Sequence, residues 1–132
     1  MTGFRLGLDL AEVDRIERAV SRWGETFLQR IFNAGELDRR RRHPAAFAQH
    51  VAGRFAAKEA AMKALGTGLR GLAFREIVVT REASGRPAIR FEGRARSIAE
   101  RLGVASAEVT ITHTDRTAAA AVLLVCGGAP NS

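Results

Sequence analysis

Arg54-Phe55-Ala56-Ala57-Lys58-Glu59-Ala60-Ala61-Met62-Lys63-Ala64-Leu65-Gly66-Thr67-Gly68 is the stretch on which the reading of this chain turns. Ala, Glu, Lys, Met and Leu dominate it and a glycine closes it, so it predicts the C-terminal half of a helix that starts after Pro44. At about 100° per residue, Phe47, Val51, Phe55, Met62 and Leu65 share a stripe roughly 80° wide, the expected core face. Glu59 and Lys63 fall outside that stripe, one turn apart, where core meets solvent. Lys58 projects inside it. A buried ammonium is costly without an anion beside it, so Lys58 requires either a carboxylate partner or a bound phosphate.

The basic residues sharpen this. Of the 21, only Lys58 and Lys63 are lysines; the other nineteen are arginines. Ammonium is a compact donor that can lose its proton when desolvated, whereas guanidinium stays charged, so two lysines on one helix suggest chemistry rather than bulk charge. An ordinary Glu59–Lys63 surface pair is the alternative.

Working outward, Phe4, Leu6, Leu8 and Leu10 alternate with Arg5, Gly7, Asp9 and Ala11, which predicts a half-buried strand with its leucines toward the core. Asp9 points away from the leucines at the end of that strand, where a carboxylate can meet a ligand or cap the next helix. From Ala11 to Trp23 an amphipathic helix places Val13, Ile16, Val20 and Trp23 on one face and Arg15, Arg18 and Arg22 on the opposite one. The arginines form either a docking stripe for an acidic partner or a plain solvated face. Phe27 to Phe32 continues as helix or turn, and Glu36-Leu37-Asp38 opens a further helical turn. Arg39 to Arg42 reads as a solvated loop or as the rim of a phosphate site.

Beyond Gly66-Thr67-Gly68, strands are predicted at Glu76–Arg81 and Ala88–Glu92, joined by a hairpin turn through Ser84-Gly85. A short helix follows from Arg94 to Leu102. Two more strands cover Glu108–Thr112 and Thr117–Cys126, the last apolar enough to be buried on both faces. The order is β, two to three helices, β, β, α, β, β: a single α+β domain over residues 1–126, its mainly antiparallel sheet packed on a long central helix. Residues 127–132 are expected to be a disordered tail.

Composition narrows the function. With 46% hydrophobic and 27% charged residues the chain reads as a soluble globular domain, and its apolar runs are too short for a bilayer. No signal-peptide core opens it, which suggests a cytoplasmic protein, and the lone Cys126 reads as a small buried hydrophobe. A net charge of +7 calls for an anionic partner. Charge alone would favour an RNA-binding domain, but with no Tyr, one Trp and phenylalanines mostly in core positions, a base-stacking platform is poorly supplied. Asp9 and Glu59 suit Mg²⁺, which takes one or two carboxylates and fills its shell with water and phosphate oxygens. A Walker loop and zinc-site spacing are both absent, and Gly66-Thr67-Gly68 serves equally as a helix C-cap.

Gly7-Leu8-Asp9-Leu10, Phe55-Ala56-Ala57-Lys58-Glu59-Ala60-Ala61-Met62-Lys63 and Thr110-Ile111-Thr112-His113-Thr114 resemble, in order, the three motifs of holo-[acyl-carrier-protein] synthase, the small phosphopantetheinyl transferase. The resemblance spans nearly the whole chain; Arg5, where a glycine is frequent, is its main departure. It implies transfer of 4′-phosphopantetheine from coenzyme A to a serine of an apo acyl carrier protein, giving 3′,5′-ADP, with Mg²⁺ on the pyrophosphate. Asp9 and Glu59 would hold the metal, and Glu59 and Lys63 would serve catalysis, Lys63 by offsetting pyrophosphate charge or by managing the serine proton. Arg54, Lys58, Gly66, Gly68, His113 and Thr114 would bind coenzyme A, and Arg15, Arg18 and Arg22 would meet the acidic carrier protein. Family members of this length look like homotrimers with coenzyme A between subunits, and neither nucleic acid nor a membrane is an expected partner.

Overall fold

A computed structural model describes residues 3–40, 43–68 and 71–127. Its elements are β1 (Gly3–Glu12), α1 (Val13–Trp23), α2 (Glu25–Ile31), α3 (Pro44–Leu65), a 3₁₀ turn (Phe74–Glu76), β2 (Ile77–Arg81), β3 (Pro87–Phe91), α4 (Gly93–Arg101), β4 (Val104–His113) and β5 (Thr117–Cys126). The order matches the expected one. β5 runs antiparallel between β1 and β4, while β2 and β3 pair separately as a hairpin. Glu36 lies in a loop rather than in a helical turn. Arg41, Arg42 and residues 128–132 lie outside the described residues, which removes half of the arginine run and nearly all of the proposed tail from view.

α3 is the axis of the molecule. It packs on the β1–β5–β4 sheet, on α1, and on β2 and α4. The expected single apolar stripe is therefore too narrow. Ala48, Ala52, Ala56, Ala57, Ala60, Ala61 and Ala64 are buried on several sides of the helix together with Val51, Met62 and Leu65. Alanine makes this possible, because it keeps full helix propensity while letting neighbours approach the backbone from more than one direction.

The face of β1 is the reverse of the one expected. Phe4, Leu6, Leu8 and Leu10 are each at least 60% exposed, and Arg5, Gly7, Asp9 and Ala11 lie on the helix side. The reason is the space at Gly7: a Cβ there would stand 1.8 Å from the Ala60 carbonyl oxygen. The strand backbone touches the helix backbone, and alternation then turns the leucines outward. β5 likewise buries one face, Ala118, Ala120, Val122 and Leu124, and leaves the other half-buried.

Gly7→Ala should destabilise the chain by about 3 kcal/mol, the upper end of what overpacking costs, because the clash is with main chain that cannot swing aside. Chemical denaturation measures it; an unchanged midpoint would mean that β1 and α3 are not held at this separation.

Candidate active site

Because Gly7 lets β1 lie against α3, the inward side chains on either side of it meet the last turns of the helix. Lys63 Nζ donates to Asp9 Oδ1 at 2.7 Å and to the Leu8 carbonyl at 3.0 Å. The Asp9 carboxylate is 14% exposed, whereas the lysine reaches it from solvent. Lys63 thus pairs across to the strand instead of along its own helix to Glu59. That hydrogen bond holds Lys63 above the ordinary lysine pKa and so keeps it a charged donor.

Glu59 stands one turn before Lys63 and is half-buried. Its pKa is raised to about 7, first by burial, then by its hydrogen bond to Asp9 and the charge of Asp9, with Lys63 and Arg15 opposing. A half-buried carboxyl that is reluctant to ionise beside a second carboxylate forms a site into which a cation can step. Among the described residues no group of three His, Cys, Asp or Glu side chains is placed to hold a metal ion. The pair is a partial shell, the kind that suits Mg²⁺ and leaves positions for water and phosphate oxygens. Asp9 and Glu59 line an open cleft of about 660 Å³, together with Glu12, Arg15, Phe27 and Phe55.

The arginine stripe of α1 divides. Arg15 enters this cleft, while Arg18 and Arg22 flank Trp23, with the Arg22 guanidinium 4.9 Å from the indole centroid. Trp23 is 56% exposed and does not share the core with Val13 and Ile16. It is the last residue of α1, and the chain turns away at Gly24 before another element can cover it. Arg39 and Arg40 pair with Glu25 and Asp38 on the surface.

Arg54 and His113 do come together, but elsewhere. They line a second hollow of about 280 Å³ with His50, Arg81 and Pro87, at the β2–β3 hairpin and β4. Arg54 is buried there and donates to the Val79 carbonyl. Thr114 Oγ1 accepts from the amides of Arg116 and Thr117 and so braces the β4–β5 turn. Gly66 is the left-handed C-cap of α3, its N–H given to the carbonyls of Met62 and Lys63, and Gly68 is exposed at positive φ.

Lys58 is a correction. It is wholly buried, and its three donors go to Glu36 Oε1 and to the carbonyls of Ile31 and Phe74. None is left for coenzyme A: of the two partners its burial required, it has the carboxylate. Burial lowers its pKa and the Glu36 hydrogen bond opposes this. Glu36 in turn accepts from Asn33 and from the Val79 amide, so the pair ties the α2–α3 loop, the 3₁₀ turn and β2 to the central helix. Sequence reasoning missed Glu36, although the search for a partner to Lys58 was the signal that could have found it.

Known proteins bear on this arrangement. Residues 5–122 match the family model described as the 4′-phosphopantetheinyl transferase superfamily. The chain belongs to that superfamily. The chain is 48% identical over 120 residues to the holo-[acyl-carrier-protein] synthase of Solidesulfovibrio magneticus, covering 90% of this chain and 95% of that one. It is 43% identical over 119 residues to the synthase of Koribacter versatilis, covering 89% and 94%. Among solved structures, the Neisseria meningitidis synthase is 33% identical with a TM-score of 0.78, covering 91% of this chain and 96% of that one. The Helicobacter pylori synthase in complex with coenzyme A is 27% identical with a TM-score of 0.76, covering 90% and 98%.

Glu36→Ala should cost about 3–5 kcal/mol, since it strands a buried ammonium. Lys58→Arg should also destabilise strongly, because a flat guanidinium cannot serve three acceptors placed around one nitrogen, while Lys63→Arg at the exposed edge should leave stability unchanged. Denaturant midpoints decide it; a Lys58→Arg protein as stable as wild type would show that the cavity does not select ammonium.

Proposed function

We propose that this chain transfers the 4′-phosphopantetheine group of coenzyme A to a serine of apo acyl carrier protein, releasing 3′,5′-ADP. The observation that carries the reading is the convergence of Asp9, Glu59 and Lys63 at the rim of an open cleft, in a chain whose relatives are holo-[acyl-carrier-protein] synthases. The serine oxygen attacks the phosphorus next to pantetheine, the bond to the bridging oxygen breaks, and 3′,5′-ADP leaves with the electron pair. Asp9 and Glu59 fit Mg²⁺, which when bound lowers the charge that opposes the attack. Lys63, held protonated, sits where it can offset charge on the leaving phosphate. Glu59 in its ionised form can take the serine proton. Arg15, Arg18 and Arg22 present positive charge beside the cleft to an acidic carrier protein, with Trp23 exposed among them.

The two hollows favour a homotrimer. One chain offers the carboxylates on one flank of α3 and Arg54 with His113 on another, so a coenzyme A that uses both sets lies between subunits. The outward row Phe4, Leu6, Leu8 and Leu10, paired in register with Val125, Leu123, Ala121 and Ala119, supplies an apolar sheet face for that assembly. Among the described residues no helix is long and apolar enough to cross a membrane, and we place the reaction in the cytoplasm.

Mass spectrometry of an apo carrier protein incubated with this chain, coenzyme A and Mg²⁺ should show the phosphopantetheine increment. Asp9→Ala and Glu59→Ala should each stay folded and lose about 10²-fold or more in turnover; near-normal turnover at saturating Mg²⁺ would remove that residue from the site. Sedimentation should give a trimer mass that Leu8→Glu reduces to a monomer; a wild-type monomer would refute the assembly.

A further inference from the structure

The turn Gly66-Thr67-Gly68 is the natural place to seek backbone donors for a phosphate, but its first two amides are taken. Gly66 N–H donates to the carbonyls of Met62 and Lys63, and Thr67 N–H to that of Met62. That accounts for two of the four carbonyls a helix leaves unpaired at its C-terminus. The other two, of Ala64 and Leu65, are taken by one side chain: Arg5 Nε donates to Ala64 at 2.8 Å and Nη2 to Leu65 at 3.4 Å. Arg5 reaches them from the inward face of β1, two residues before Gly7 and four before Asp9. Its Nη2 lies 2.8 Å from the place a Cβ on Gly66 would occupy, so the guanidinium fills the space that the glycine leaves.

The charge matters as much as the bonds. A helix C-terminus is a negative pole, which repels a phosphate, and α3 ends two residues beyond Lys63. With the Gly66 and Thr67 amides committed, positive charge on this flank of the site comes from side chains. We propose that Arg5 is a positioning residue for coenzyme A: by clasping the last carbonyls of α3 it cancels the negative helix end beside the place where the pyrophosphate binds. This rests on the transferase reading above. Asp9, Glu59 and Lys63 are the other charged groups on this seam between β1 and α3.

Calorimetric coenzyme A binding and steady-state kinetics on wild type, Arg5→Met and Arg5→Lys test it. Arg5→Met should weaken binding and raise KM for coenzyme A by about fivefold to thirtyfold, the upper part of the range spanned by one charge at a partly buried helix end, with kcat and KM for carrier protein little changed. Its affinity should also fall less steeply with salt than that of wild type. Arg5→Lys, which keeps the charge, should recover most of the loss. Unchanged coenzyme A affinity in Arg5→Met, even with a lowered melting temperature, would reduce Arg5 to a cap and overturn the proposal. So would an Arg5→Lys protein as weak as Arg5→Met, or, if Arg5→Met does not fold, an Arg5→Lys protein with weakened binding. Failure of wild type to bind coenzyme A at all would instead sink the transferase reading itself.

Discussion

The contact that the rest of this structure depends on is the main-chain approach of β1 to α3 at Gly7. It admits no side chain at all, since a Cβ would fall 1.8 Å from the Ala60 carbonyl oxygen. Everything at the site is spaced from it. One inward step along β1 brings Asp9 to Lys63, and one step the other way brings Arg5 to the helix end. A second close approach, where a Cβ on Gly53 would meet Ile111 at 2.8 Å, seats β4 on α3. Between these two contacts the helix is lined with buried alanines, which let its neighbours pack close to its backbone.

The same helix uses its two ammonium groups in opposite ways. Lys58 is sealed in and saturated by three oxygens, and it anchors the loops that lead to the β2–β3 hairpin. Lys63, five residues on, stays at the edge with its charge directed at Asp9. Both places suit a compact three-donor cation better than a planar fork, which gives a physical reason for two lysines in a chain otherwise supplied with arginine. Glu59, adjacent to the first and a turn from the second, takes its orientation from a helix that is fixed on every other side.

Element order was legible from the sequence because hydrophobic period, turn residues and glycine stops all agreed. Which face of an element is buried was less so. Alternation in β1 is satisfied by either face, and only the glycine at its centre marks the side on which another backbone lies. The leucines read as core are exposed in a single chain, as an assembled sheet face would be. Trp23 fits the apolar face of α1 by angle, yet the helix stops there. Asp9, Glu59 and Lys63 were legible because spacing alone places them at element edges. The separation of Arg54 and His113 from them was not, because it depends on which side of α3 each strand packs, a long-range choice that no local pattern encodes.

The central claim is that Asp9 and Glu59 form one cation site whose filling displaces the proton that burial leaves on Glu59. Its most direct test is calorimetric titration of Mg²⁺ into the wild-type chain near pH 7, in two buffers of different ionisation enthalpy. With Glu59 at about 7, binding should release about half a proton per site, and Glu59→Gln should abolish that release. Mg²⁺ binding without proton release, or with the same release in Glu59→Gln, would contradict the account.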